Sequence, residues 1–159
     1  MKKISILFSI LLCILLLGSC KSKKVAPKPV EPVIVTLKPS QIENALRNKT
    51  YELGKRILMT CNTSKFKPFN TSEATPKVIE NTTQVRLTKT CLKFRLKYGA
   101  FKDIELVEVI HNKTENSRVF RYKALYEKKI ANKELRVTMN QDNKVSAINS
   151  TDWVNVYKP

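Results

Sequence analysis

Tyr98–Lys129 reads YGAFKDIELVEVIHNKTENSRVFRYKALYEKK, and within it the period of the apolar residues changes from that of a helix to that of a strand. Upstream of Gly99 they recur every three or four positions; downstream they alternate. In Phe101–His111 the alternation sets Ile104, Leu106 and Ile110 on one side and Val107 and Val109 on the other. Asn112–Ser117 reads as a polar turn. In Arg118–Lys129, Phe120, Tyr122, Ala124 and Tyr126 alternate with Val119, Arg121, Lys123 and Glu127. Further on, Leu135, Val137 and Met139 alternate with Arg136 and Thr138, and Gln141–Lys144 reads as a tight turn with Asn143 in a left-handed conformation. A last extended run carries Val145, Ala147 and Ile148, then Trp153, Val154 and Val156. These patterns predict a four-stranded antiparallel meander.

Two helices are expected before it. Ser40 and Glu43 have the spacing of a capping box behind Pro39, and Ile42, Leu46, Leu53, Ile57 and Cys61 form one apolar helical face. Thr75 and Pro76 read as the N-cap and first-turn proline of a second helix that stops at Gly99. Val78, Val85, Leu92 and Leu96 mark its expected buried stripe, widened by Leu87, Cys91, Phe94 and Tyr98. Two N-terminal helices packed on a curved four-stranded antiparallel sheet give an α+β domain over residues 40–159.

The N terminus is of another kind. Lys2 and Lys3 precede Ile4–Leu17, apolar apart from Ser5 and Ser9. As a helix this run spans about 21 Å, short of the roughly 30 Å hydrocarbon core, and suits a signal peptide better than a membrane span. It ends Leu17-Gly18-Ser19-Cys20, which resembles the bacterial lipobox. The resemblance implies that Cys20 receives a lipid and that residues 1–19 are removed before it. Lys21, where Asp often marks inner-membrane retention, implies the outer membrane. The basic residues that follow are unlike the acidic surface-export tags of some Bacteroidetes lipoproteins and imply the periplasmic leaflet. Residues 20–39, with Pro27, Pro29, Pro32 and Pro39, read as an extended tether.

The formal net charge is +17, from 30 Lys and Arg against 13 acids, which suits phosphates or anionic head groups. The cations are neither gathered in one block nor interleaved with aromatics as in RNA-binding motifs, which argues against nucleic acid. Of four cysteines, Cys13 leaves with the signal and Cys20 takes the lipid. Cys61 and Cys91 remain for a disulfide in an oxidising compartment, or as two buried thiols. No Cys or His spacing suggests a metal, and no cofactor is implied.

The progression to "KYG", "FKDIELVEV", "FRYKALYEKK" and "KELRVTMNQDNKVSAI" resembles the nuclear transport factor 2-like superfamily, over residues 40–150. The resemblance implies a helix-backed, curved sheet forming a cone that holds ligands in binding members and active sites in enzymes. It also implies a homodimer through the open sheet face. Relatives often have Gly at the position of Asn143. None of the superfamily's catalytic motifs matches position by position, so none is carried over.

The candidate pocket residues are Glu108, His111, Tyr122, Tyr126 and Trp153. His111, the only histidine, would be a general base beside a carboxylate, and Tyr122 or Tyr126 an oxyanion donor; the plainer reading is a half-exposed histidine entering a turn. Glu108, on the face expected for Ile104, Leu106 and Ile110, would be a raised-pKa acid if buried, or else the partner of a cross-strand Lys123 or Arg121. Phe120, Tyr122 and Tyr126 would line a ligand cavity or simply pack beneath the helices. Trp153 would rim the pocket or cover the sheet edge. The expected function is a lipid-anchored, non-catalytic envelope domain that binds a small ligand or an envelope protein. The alternatives are a small isomerase- or lyase-like enzyme using His111 or Glu108, and an electrostatic binder of anionic polymer such as lipopolysaccharide or extracellular DNA.

Overall fold

The computed structural model describes residues 31–158; the signal-peptide segment, Cys20 and the tether as far as residue 30 lie outside the described residues. The meander is present and gains a fifth strand. Strands β1 (Ile34–Leu37), β2 (Phe101–Asn112), β3 (Ser117–Tyr126), β4 (Lys133–Met139) and β5 (Val145–Asp152) pair antiparallel in the order β1-β2-β3-β4-β5. β1 corrects the expected tether boundary. Its residues fall in the proline-rich stretch, yet Ile34–Leu37 pair with Asn112–Val109 and complete one edge of the sheet. Pro32–Pro159 forms a compact unit that contains all five strands, the core and the disulfide, and so holds the determinants of its own fold.

Among the described residues the helices are three, not two: α1 (Asn44–Thr63), α2 (Pro76–Asn81) and α3 (Gln84–Tyr98). Ser40 does not start α1. Pro39–Gln41 is instead a short 3-10 turn, in which the Lys38 amide donates to Gln41 Oε1 at 2.7 Å, and α1 begins at Asn44 behind Glu43. The expected second helix breaks at Thr82 and Thr83, where the Thr83 hydroxyl accepts from the Arg86 amide and caps α3. Thr75 precedes Pro76 as expected, without a side-chain cap bond.

The core lies between α1 and one face of the sheet. Leu46, Leu53, Ile57 and Leu58 of α1 meet Ile104, Val109, Phe120, Tyr122, Leu135 and Val137. Gly54 lets the helix approach closely: a Cβ there would stand 3.0 Å from a Leu135 methyl and 3.2 Å from a Val137 methyl. Gly99, at φ +78°, ends α3 against Glu127, which a Cβ would meet at 2.7 Å. Asn143 is left-handed as expected, with φ 54°.

Two irregularities in β2 overturn the strict alternation read from the sequence. The register shifts between Phe101 and Asp103 and again between Leu106 and Glu108, so Lys102 and Val107 each add a residue that β3 does not match. Phe101, Ile104, Leu106 and Val109 thereby oppose Tyr126, Ala124, Tyr122 and Phe120 on the core face. Glu108 opposes Arg121 on the other face, away from Leu106. A third shift near Ser146 sets Val145 and Ile148, rather than Ala147, opposite the core residues Met139 and Val137. The last strand stops at Asp152, and residues 153–158 continue as an irregular segment over the outer face.

Candidate functional site

The five pocket residues do not converge. Tyr122 and Tyr126 face the helices, Glu108 lies on the outer face with Trp153 over its ion-pair partner Arg121, and His111 sits near the sheet edge between Val35 of β1 and Arg118 of β3. The ladder from Glu108 to His111 is unbroken, so residues three apart on it point to opposite sides of the sheet. Glu108 and His111 therefore do not form an acid–base pair.

The aromatic row packs beneath the helices, and of its members Tyr122 also lines a cleft of about 290 Å³ with Pro39, Arg47, Asn48, Tyr51 and Leu106. Phe120 and Tyr122 are buried, and Tyr122 shares a 2.7 Å hydrogen bond with Thr50 of α1. Tyr126 stacks at ring distances of 5.7 to 6.2 Å among Phe94, Tyr98 and Phe101, and its hydroxyl is buried without a partner. Phenylalanine at position 122 removes a made hydrogen bond and should cost about 1 kcal/mol, whereas Tyr126→Phe removes an unmet donor and should leave stability unchanged or raise it by up to about 1 kcal/mol. Urea unfolding midpoints check both. Burial pushes both phenols up to about 12. Folding thus favours their neutral forms, and this contribution is intact below pH 10 and lost as pH rises through about 12. Phenolate absorbance should show two tyrosines ionising only with alkaline unfolding, and one fewer in Tyr126→Phe.

The outer face holds a fixed charge cluster that the sequence only half disclosed. Arg121 of β3 faces Arg136, and Glu134 of β4 lies diagonal to it, two ladder positions along and on the same face; both are 0% exposed. Arg121 Nε donates to Glu134 Oε1 at 2.7 Å and Nη2 to Oε2 at 3.1 Å, Nη1 donates to Glu108 Oε1, and Nη2 also reaches the Val154 carbonyl at 2.7 Å. Arg136 donates to Glu134 at 2.9 Å and to the Lys158 carbonyl at 2.7 Å. Trp153 and Tyr157 cover the guanidinium from ring centres 4.6 and 5.6 Å away, and Tyr157 also meets Arg136 at 4.8 Å. Burial pushes the Glu134 carboxyl up, but the bonds from Arg121 and Arg136 outweigh it and hold the group below its ordinary value. Hydrogen bonding to Glu134 raises Arg121 above its own.

Beside this cluster a cleft of about 330 Å³ opens between β1, β2 and the C-terminal segment. Ile34, Ile110, Val156 and Tyr157 form its apolar side, Thr36 and Asn155 line it too, and Glu108 supplies a carboxylate that Arg121 holds in place. The cross-strand partner of Glu108 is one of the two that the sequence offered. Glu134 and Tyr157 were missed. Glu134 could have been found only from the β3–β4 register, and Tyr157 lies beyond the last strand, where no periodicity places it. Among the described residues, no three His, Cys, Asp or Glu side chains cluster as metal ligands, and no helix is long and apolar enough to cross a membrane. Searches of family models, curated proteins and solved structures return no match to this chain.

Proposed function

We propose that this is a lipid-anchored protein of the cell envelope whose domain binds a partner, with the cleft at Glu108 as its seat. The lipobox at Leu17–Cys20 supports the anchor, and the helix-backed antiparallel sheet is compatible in outline with the nuclear transport factor 2-like resemblance. One observation carries the binding reading: in a strongly basic chain, a carboxylate held by a buried guanidinium lines an open cleft whose walls are part apolar and part polar. A fixed acceptor beside apolar side chains is the chemistry of specific recognition. The cleft lies over the face that β1 shares with β2, so a segment of an envelope protein seated there with a lysine or arginine would place its cation on Glu108.

The test is native mass spectrometry of the protein taken from its own membranes in mild detergent. The wild type should carry a bound polypeptide that Glu108→Gln releases, with unfolding midpoints showing the variant still folded. A bound species retained by that folded variant, or no bound polypeptide at all, would contradict the assignment.

A further inference from the structure

The sequence pattern expected Val85, Leu92 and Leu96 to face the core. They do the opposite. They are 79%, 64% and 73% exposed, while Leu87, Cys91, Phe94 and Tyr98 take the inward positions. At 100° per residue the three exposed side chains fall within about 40° of one another, a straight row about 16 Å long down the outside of α3. The helix is therefore apolar along two opposite lines, and among the described residues the outer one packs against no part of the core.

The residues beside that row share one sign. α3 carries Arg86, Lys89, Lys93, Arg95 and Lys97 and no acid. Among the described residues none of the five is in an ion pair. On the helical wheel Lys89 and Lys93 flank the row on one side and Arg95 on the other. Single exposed apolar residues are ordinary on protein surfaces. Three in line, bordered by long cationic side chains, make the pattern of a helix lying in a membrane interface: the apolar row enters the boundary between head groups and acyl chains, and the Lys and Arg stems lie along it with their charges at the phosphates. Nucleic acid would meet the cations but give the leucines no apolar seat.

We propose that the outer face of α3 docks on an anionic phospholipid surface. This site is separate from the cleft at Glu108 and does not require the lipid at Cys20. It would set the orientation of the domain at the bilayer by its own affinity.

The full chain begins with an apolar stretch that would bind any vesicle, so the test uses the unit from Pro32 to Pro159, which carries the whole core and the disulfide. Sedimentation is measured with vesicles containing about one-third phosphatidylglycerol and with pure phosphatidylcholine vesicles. Binding should be at least about tenfold stronger to the anionic vesicles and should weaken as salt is raised. The pair Leu92→Gln and Leu96→Gln should lose about tenfold or more with an unchanged unfolding midpoint, since both side chains are exposed. Lys89→Glu with Lys93→Glu should lose as much. Three results would overturn the proposal: no sedimentation with anionic vesicles, binding indifferent to the leucine pair, or a self-associated unit that the leucine pair converts to monomer. The last would assign the row to a second copy of this chain.

Discussion

Arg121→Met is expected to destabilise the fold by about 3–5 kcal/mol, the range for removing one partner of a buried ion pair. The loss arises from what stays behind more than from the guanidinium itself. Glu134 is 0% exposed and among the described residues keeps only Arg136 as a cationic partner, the Val154 carbonyl loses its donor, and Trp153 and Tyr157 lose the group they cover. Lysine should not rescue it, because one ammonium cannot bond Glu134 through two nitrogens while reaching Glu108 and Val154. Adding Glu134→Leu to Arg121→Met should recover more than half of the loss, since the stranded charge is then gone. Glu108 and Arg136 are partly exposed and can be solvated. Urea unfolding of the two single variants and the double variant measures the coupling.

The same cluster sets an acid limit. Because Glu134 is held below its ordinary value near 4.5, its contribution is fully present above that pH. It is lost as pH falls through the depressed folded value. Arg121→Met should flatten the acid side of the stability profile while lowering its plateau.

The second large effect is that of the Cys61–Cys91 disulfide, which joins α1 to α3 with Cα atoms 4.6 Å apart and a sequence separation of 30. Removing a cross-link over a loop of that size costs about 3.5 kcal/mol in the chain-entropy model. The loss should concentrate on α3, of which only Cys91 and Tyr98 are buried. Cys61→Ala with Cys91→Ala should therefore speed amide exchange in Gln84–Tyr98 well before it does so in β3 and β4. Uniform exchange across the unit would instead show that α3 is held by Leu87, Phe94 and Tyr98 without the bridge.

These expectations indicate which features the sequence could disclose. Alternation in β3 and β4 was legible because both strands are regular and have one apolar face, as was the left-handed turn at Asn143. The irregularities at Lys102 and Val107 were not, because an extra residue has meaning only against a partner strand, and composition does not give the register. That offset moved Glu108 to the outer face and separated it from the pocket assigned to it. The inward side of α3 was misread for a different reason. Val78, Val85, Leu92 and Leu96 fit one helical line, but the chain breaks at Thr82–Thr83 and the line does not survive the break. Leu87, Cys91, Phe94 and Tyr98 were the true inward set, and Cys91, bonded to α1, fixes it. β1 was hidden because its four residues lie between prolines that read as tether. Of the candidate site, the pairing of Glu108 with Arg121 was visible as one of two options. Its depth was not, since it depends on Glu134 across the ladder and on a C-terminal segment with no pattern of its own.

The location underlies the proposed function, and one measurement addresses it: the intact mass of the protein purified from membranes. The account predicts a chain that begins at Cys20, carries the added mass of acyl chains at that residue, and is lighter by two hydrogens for the Cys61–Cys91 bridge. A chain that keeps residues 1–19, or that begins at an unmodified Cys20, would contradict it.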